Sequence, residues 1–144
     1  MANFDYSSYL SPFTWRYGSD EMRKIFSENH KIELWRNIWV ALAEAQYQAG
    51  LVTKKELDDL KKNQNNFDIE KIQAIEKETR HDVVAAIKEF AGKAKVGGGK
   101  IHLGATSMDI VDNADMIRIK EGLKIIEKRL KTVLHLFKIG RAHV

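Results

Sequence analysis

Ile119, Leu123, Ile126, Leu130, Val133 and Phe137 follow one another at steps of 4, 3, 4, 3 and 4 residues near the end of a 144-residue chain. Apolar residues every 3.5 positions form the seam of a helix that packs lengthwise on other long helices. Helical pattern extends from the region of residue 105 to the end. A helix of about 30 residues is about 45 Å long. The residues before it make a unit that can cover only part of that length. The seam therefore predicts an oligomer, a chain that is part of something longer, or both. One proline in the whole chain, Pro12, leaves such helices uninterrupted. The expected class is all-α.

Charge and composition narrow the function classes. Twenty-four Lys and Arg against 20 Asp and Glu give a formal charge of +4. The lysines alternate with acids, as in Lys54-Lys55-Glu56 and in Lys61-Lys62 after Asp58-Asp59. That is a solvated surface rather than a stripe tracking phosphates, so no nucleic-acid partner is expected. With 44% hydrophobic and 31% charged residues the chain can bury a core. No apolar run approaches the roughly 18 residues of a membrane span. The start, MANFDYSSYL, has no basic or apolar leader region, so no signal peptide is expected. Zero cysteines exclude disulfides, thiolate metal sites and a Cys nucleophile. A cytoplasmic protein is expected.

Residues 1–18 are irregular and aromatic, with Phe4, Tyr6, Tyr9, Phe13, Trp15 and Tyr17 punctuated by Pro12 and Gly18. Two readings stay open: a strap laying its rings on a helical body, or Arg16-Tyr17 presenting donors to a ligand. Ser19 caps a helix whose first residues are acidic. A longer helix is predicted over 29–49, with Ile32, Trp35, Ile38, Trp39, Leu42 and Ala45 on one face and Gly50 as its stop. Thr53 and Glu56 form a capping box before Leu57 and Leu60. Asp68 caps a helix carrying Ile69, Ile72 and Ile75. Another is predicted over 81–94, with Val84, Ile87 and Phe90/Ala91 as its apolar face. Val96 to Gly99 reads as a flexible loop, and Lys100 to Gly104 as a short extended stretch.

Several stretches could carry chemistry. The run Gly97-Gly98-Gly99-Lys100 fails as a phosphate loop, because Ile101 stands where Ser or Thr is needed and Ala94 where an earlier Gly is needed. The histidines at 30, 81, 102, 135 and 143 lack metal-ligand spacing, so no metal site is expected. Thr79-Arg80-His81-Asp82 crowds four hydrogen-bonding residues into one turn at a helix start, where backbone N–H groups favour anions. A capped helix with surface charges explains that turn equally well. Lys100 to Ser107 combines Gly104 with two hydroxyls, Thr106 and Ser107, near the start of the long helix. It reads as a carboxylate or phosphate cradle, or as a plain Ser/Thr cap.

Three motifs in order make the chain resemble the N-terminal part of the adenylosuccinate lyases, members of the fumarase/aspartase superfamily. They are Ser11-Pro12 with Trp15-Arg16-Tyr17-Gly18-Ser19 and Glu21-Met22, then Thr79-Arg80-His81-Asp82-Val83, then His102-Leu103-Gly104-Ala105-Thr106-Ser107 with Asp112-Asn113. The likeness covers about residues 10 to 137. The last motif is shared more loosely by sister lyases, including the carboxymuconate cycloisomerases.

The resemblance implies a fold: an N-terminal helical domain over 1–111, with its aromatic arm, then the first long helix of a central helical bundle over 112–144. It implies a homotetrameric lyase that releases fumarate from adenylosuccinate, leaving AMP, and from the succinyl-carboxamide intermediate of purine biosynthesis. A base takes a carbon-bound proton and an acid protonates the leaving nitrogen. It implies no metal and no organic cofactor, and a small nucleotide as the binding partner. By the same resemblance Arg16 and Tyr17 match phosphate contacts. Arg80, His81 and Asp82 match a substrate-contacting turn, with His81 supporting catalysis. Thr106 and Ser107 match contacts to the succinyl carboxylate, and His102 a catalytic histidine at the edge of the site. Family members are about three times this long, and their base-bearing Ser loop and Lys and Asn contacts have no counterpart here. The ending Gly140-Arg141-Ala142-His143-Val144 resembles the family's general-acid segment only superficially, so His143 is not assigned that role. This chain alone is expected to be inactive. Another superfamily lyase, a cycloisomerase, and a non-catalytic helical interaction module are the alternatives.

Overall fold

A computed structural model describes residues 6, 7, 9, 11 and 13–141. Phe4, Pro12 and His143, singled out above, lie outside the described residues. All regular structure among the described residues is helical: α1 (Thr14–Tyr17), α2 (Asp20–Ile25), α3 (Glu28–Gln48), α4 (Lys54–Asn63), α5 (Ile69–Thr79), α6 (Asp82–Lys93), a single 3-10 turn (Gly98–Lys100) and α7 (Ser107–Arg141).

The starts are set by side-chain caps. Ser19 accepts the Met22 amide, Ser27 the His30 amide, and Asp68 the Lys71 amide. Thr53 and Glu56 close the expected capping box. Each satisfies a donor that the first helical turn leaves without a partner. Gly50 takes a positive φ of 75° just past α3, the left-handed conformation that ends helices at glycine.

The core lies among α3, α4, α5, α6 and the start of α7, where Ile110 and Ala114 are buried. Trp35, Trp39, Leu57, Leu60, Ile72, Val83 and Phe90 are buried in it. Two expected faces are corrected. On α3, Ala45 is exposed, while Leu34, Arg36, Val40 and Ala43 are buried. On α6 the buried residues are Val83, Ala85, Ala86, Glu89 and Phe90, with Val84, Ile87 and Ala91 only partly covered. The α6 face is turned because small alanines let α5 and α6 pack closely, and because one buried position is a charged Glu.

That Glu89 meets Arg36 in a buried ion pair. Arg36 also donates to the carbonyls of Asn63 (2.7 Å) and Asn66 (3.1 Å), and its guanidinium lies 4.1 Å from the Phe90 ring centre. Glu89 accepts the Asp68 amide at 3.2 Å. One pair thus ties α3, the end of α4, the start of α5 and α6 together.

Val96 to Gly99 is a packed corner rather than a flexible loop. A methyl group on Gly97 would collide with the Glu56 carbonyl oxygen and lie 2.8 Å from Leu60 Cγ. One on Gly98 would come within 2.9 Å of Ala91 Cα. The glycines are there for close approach. The stretch 100–104 is a run of turns, not extended, held by Lys100 N–H to Gly97 O (2.9 Å) and Leu103 N–H to Lys100 O (3.3 Å).

In the N-terminal arm, Tyr6 donates to Gln73 Oε1 at 2.8 Å, and the Tyr9 ring meets Phe26 edge-on at 6.4 Å. Phe13 and Tyr17 remain exposed. The start of α7 packs on α3, and Met22 of α2 and Phe26 just after it rest against Gly122 further along. From Ile126 to Ile139 every residue is exposed. No helix among the described residues is long and apolar enough to cross a membrane.

Candidate functional site

The turn 79–82 joins two helices rather than simply opening one. Arg80 has a φ of 51°, and its amide donates to Glu76 O at 2.7 Å. This left-handed residue, uncommon outside glycine, reverses the chain so that α6 folds back on α5. Arg80 lies with Gln73, Glu76 and Lys77 along a groove on α5. His81 is the cap of α6, its Nδ1 accepting the Val84 amide at 3.4 Å. Asp82 accepts the Val83 amide at 2.7 Å, and its carboxylate is 3.5 Å from His81 Nδ1. Arg80, His81 and Asp82 are all exposed.

His102 has a φ of 67°. Its Nδ1 accepts the indole N–H of buried Trp39 at 3.1 Å, and the two rings meet edge-on. Gln46 anchors the next residue, donating to Leu103 O at 2.7 Å. Burial pushes the His102 imidazole below its ordinary pKa. The Asp109 carboxylate opposes that shift, and the charge of His81 adds to it. His81 and His102, 21 positions apart in sequence, are therefore within electrostatic reach of each other.

Thr106 donates twice to Asp109, through its amide (2.7 Å) and its hydroxyl (3.0 Å). Those two bonds, and then the nearby His102, hold the Asp109 carboxyl below its usual range. Ser107 opens α7 and is half-buried. Beside this cluster runs a groove of about 520 Å³ between α3 and α7. Ile38, Leu42, Gly104 and Ile117 line it, with Asp109 and Asn113 at its polar edge. The arrangement sets the half-buried His102, the Asp109 carboxylate and two hydroxyls around the start of α7, with the exposed His81 at the start of α6 within electrostatic reach. Such a set can donate to an anion.

Arg16 and Tyr17 lie elsewhere. Arg23 donates to Thr14 O and, at 3.1 Å, to Gly18 O, fixing α1 to α2. The α2 helix rests at Gly122, about 20 Å along the α7 axis from Asp109 at 1.5 Å per residue. One chain does not bring the Arg16-Tyr17 turn to the His81–His102 cluster.

Sequence reasoning missed three members of this cluster: Trp39, Gln46 and Asp109. The spacing of Thr106 and Asp109, a hydroxyl followed three residues later by an acid, was a readable capping signal. Trp39 had none, since its partner lies 63 positions away.

Adenylosuccinate lyases are among the relatives of this chain. The enzyme of Methanocaldococcus jannaschii is 42% identical over 125 residues, which cover 85% of this chain and 27% of that protein. That of Saccharomyces cerevisiae is 38% identical over 135 residues, covering 91% and 28%. The chain is homologous to the adenylosuccinate lyases. It spans about a quarter of the length of these relatives. No family model matches it. The fold is that of part of a fumarate lyase: the crystal structure of the protein from Mesorhizobium sp. BNC1 superposes with a TM-score of 0.73 at 26% identity, covering 80% of this chain and 28% of that one. The expected all-α class and the resemblance both hold.

Proposed function

We propose that this chain is a segment of an adenylosuccinate lyase, an enzyme that eliminates fumarate from adenylosuccinate and from the succinyl-carboxamide purine intermediate. The 42% identity to the Methanocaldococcus enzyme carries this reading. In the reaction a base removes a proton from carbon, the carbon–nitrogen bond breaks, and an acid protonates the departing nitrogen. His81 and His102 are the histidines of this segment assigned to catalysis. Arg80, Thr106 and Ser107 hold the substrate's anionic groups near them, Asp82 contacts the substrate from the same turn as Arg80, and Arg16 and Tyr17 take the nucleotide phosphate. Residues 1–111 form the N-terminal domain and 112–144 begin a central bundle, in a cytoplasmic homotetramer.

The test is fumarate release by the polypeptide extended to the full length of its relatives. Turnover of adenylosuccinate, and a fall in kcat on the order of a hundredfold for His81→Gln, support the reading. Turnover confined to a different substrate moves the chain to a sister lyase. The 144-residue chain alone is expected to show none.

A second reading, a helical interaction module, draws on the exposure of every residue from Ile126 to Ile139. It describes the isolated chain if the extended polypeptide is inactive yet assembles.

A further inference from the structure

We propose that Trp39 is a positioning residue that sets which ring nitrogen of His102 carries its proton. This rests on the assignment of His102 to the lyase site. An indole N–H can only donate, so the imidazole nitrogen it meets at 3.1 Å accepts. In the neutral ring the proton then sits on Nε2, and Nε2 becomes the donor presented away from α3. Trp39 is 1% exposed and wedged between Trp35, Phe90 and His102. Its N–H therefore has a fixed direction, set by the core and not by solvent.

The backbone supports this. His102 is one of two non-glycine residues with positive φ among the described residues. A side chain held in that sparsely populated region needs neighbours that over-determine it. The Trp39 bond on one side and the Gln46 bond to Leu103 O on the other supply them. The ionisable groups acting on the ring are Asp109 from α7 and His81 from the start of α6. The α3 helix presents the indole. Neither Asp109 nor His81 is hydrogen-bonded to the ring in the arrangement described, so neither selects its tautomer. A ring locked with Nε2–H outward is a ready hydrogen-bond donor to a substrate oxygen. A ring free to exchange tautomers spends part of its time with an acceptor there instead.

The experiment is nitrogen NMR of the 144-residue chain with ring-labelled histidine. Trp39→Phe removes the N–H, and benzothienylalanine at position 39 replaces N–H by sulfur with the ring outline kept. The native chain is expected to show His102 as the Nε2–H tautomer alone. Both replacements should yield mixed tautomers. Both should also raise the His102 titration midpoint by roughly half to one pH unit, because a bond to the neutral form is lost. If Trp39→Phe does not fold, the sulfur analogue decides. Native His102 found with its proton on Nδ1, or a tautomer and midpoint unchanged by the sulfur analogue, overturns the proposal. In the full-length enzyme the same analogue should lower kcat roughly tenfold with little change in KM. Retained kcat despite mixed tautomers removes the positioning role and leaves the lyase reading standing. A full-length protein that turns over no substrate removes the lyase reading, while the tautomer result stands by itself.

Discussion

Arg36 and Glu89 are both almost without solvent contact and pair with each other in the core, with Lys93 3.5 Å from the other Glu89 oxygen. Burial pulls the Arg36 guanidinium below its ordinary pKa, and the Glu89 carboxylate opposes that pull. Removing one partner leaves an uncompensated charge in the core, which costs about 3–5 kcal/mol. Glu89→Ala should therefore lose about that much stability in denaturant unfolding, and it should also free the Asp68 amide that Glu89 receives. A double replacement, Arg36→Met with Glu89→Leu, should fall much closer to the native value, since matched apolar pairs often do. A loss as large as the single variant's would mean the pair does more than neutralise itself. At the surface, Asp109 shows the opposite economy. Its carboxyl is held below the ordinary value of 3.8, first by the two bonds from Thr106 and then by the charge of His102. A lowered native pKa means the unfolded chain binds more protons, so the contribution of Asp109 is complete above its unfolded pKa. It is lost as pH falls from there through the lower native value. Asp109→Asn should flatten that part of the acid stability profile, and an unaltered profile would contradict the bonding described.

At the scale of elements, the caps were legible because each is written in four adjacent residues. Ser19, Thr53 with Glu56, and Asp68 all cap as their spacing implies. The α6 face was not legible, because alanines carry little periodic signal and Glu89 reads as surface. The Gly97–Gly99 run misled for a related reason: sequence cannot say whether a missing side chain serves motion or contact. The structure separates the three glycines. Gly97→Ala drives a methyl into the Glu56 carbonyl and Leu60, so it should cost about 1–3 kcal/mol, the usual range for overpacking. Gly99 has nothing within 4 Å of the added atom, and Gly99→Ala should be close to neutral. Thermal midpoints of the two variants check this, and equal midpoints would restore the flexible-loop reading. In the candidate site, the motif residues were legible singly, but their grouping was not. That His81 and His102 share a cluster while Arg16 and Tyr17 stand apart follows from how α5 and α6 fold back.

For the whole molecule the seam on α7 decides behaviour. Leu123, Leu130 and Phe137 are 58, 59 and 72% exposed, a contiguous apolar strip of the kind that marks an interaction surface. The chain should self-associate, and sedimentation should show species larger than 16.5 kDa. Replacing Leu123 and Leu130 together by Lys should return a monomer, and a native chain already monodisperse as monomer would count against the seam. The same strip has a consequence for the single chain in isolation. From Ile126 onward α7 is held by its own backbone hydrogen bonds, by local surface pairs such as Lys131 with Glu127, and by one exposed ion pair from Arg129 to Glu21 of α2 at 3.6 Å. Surface pairs contribute little, and segments of about 12–15 residues are marginal as free helices in water. The core that grips the beginning of α7 does not reach that far. The last four turns should therefore melt and re-form on their own, and their amides should exchange with solvent orders of magnitude faster than those near Ile110 and Ala114. A partner that docks on the seam must first restore order there. Its measured affinity will then include the entropy of rebuilding a helix that the isolated chain keeps only part of the time.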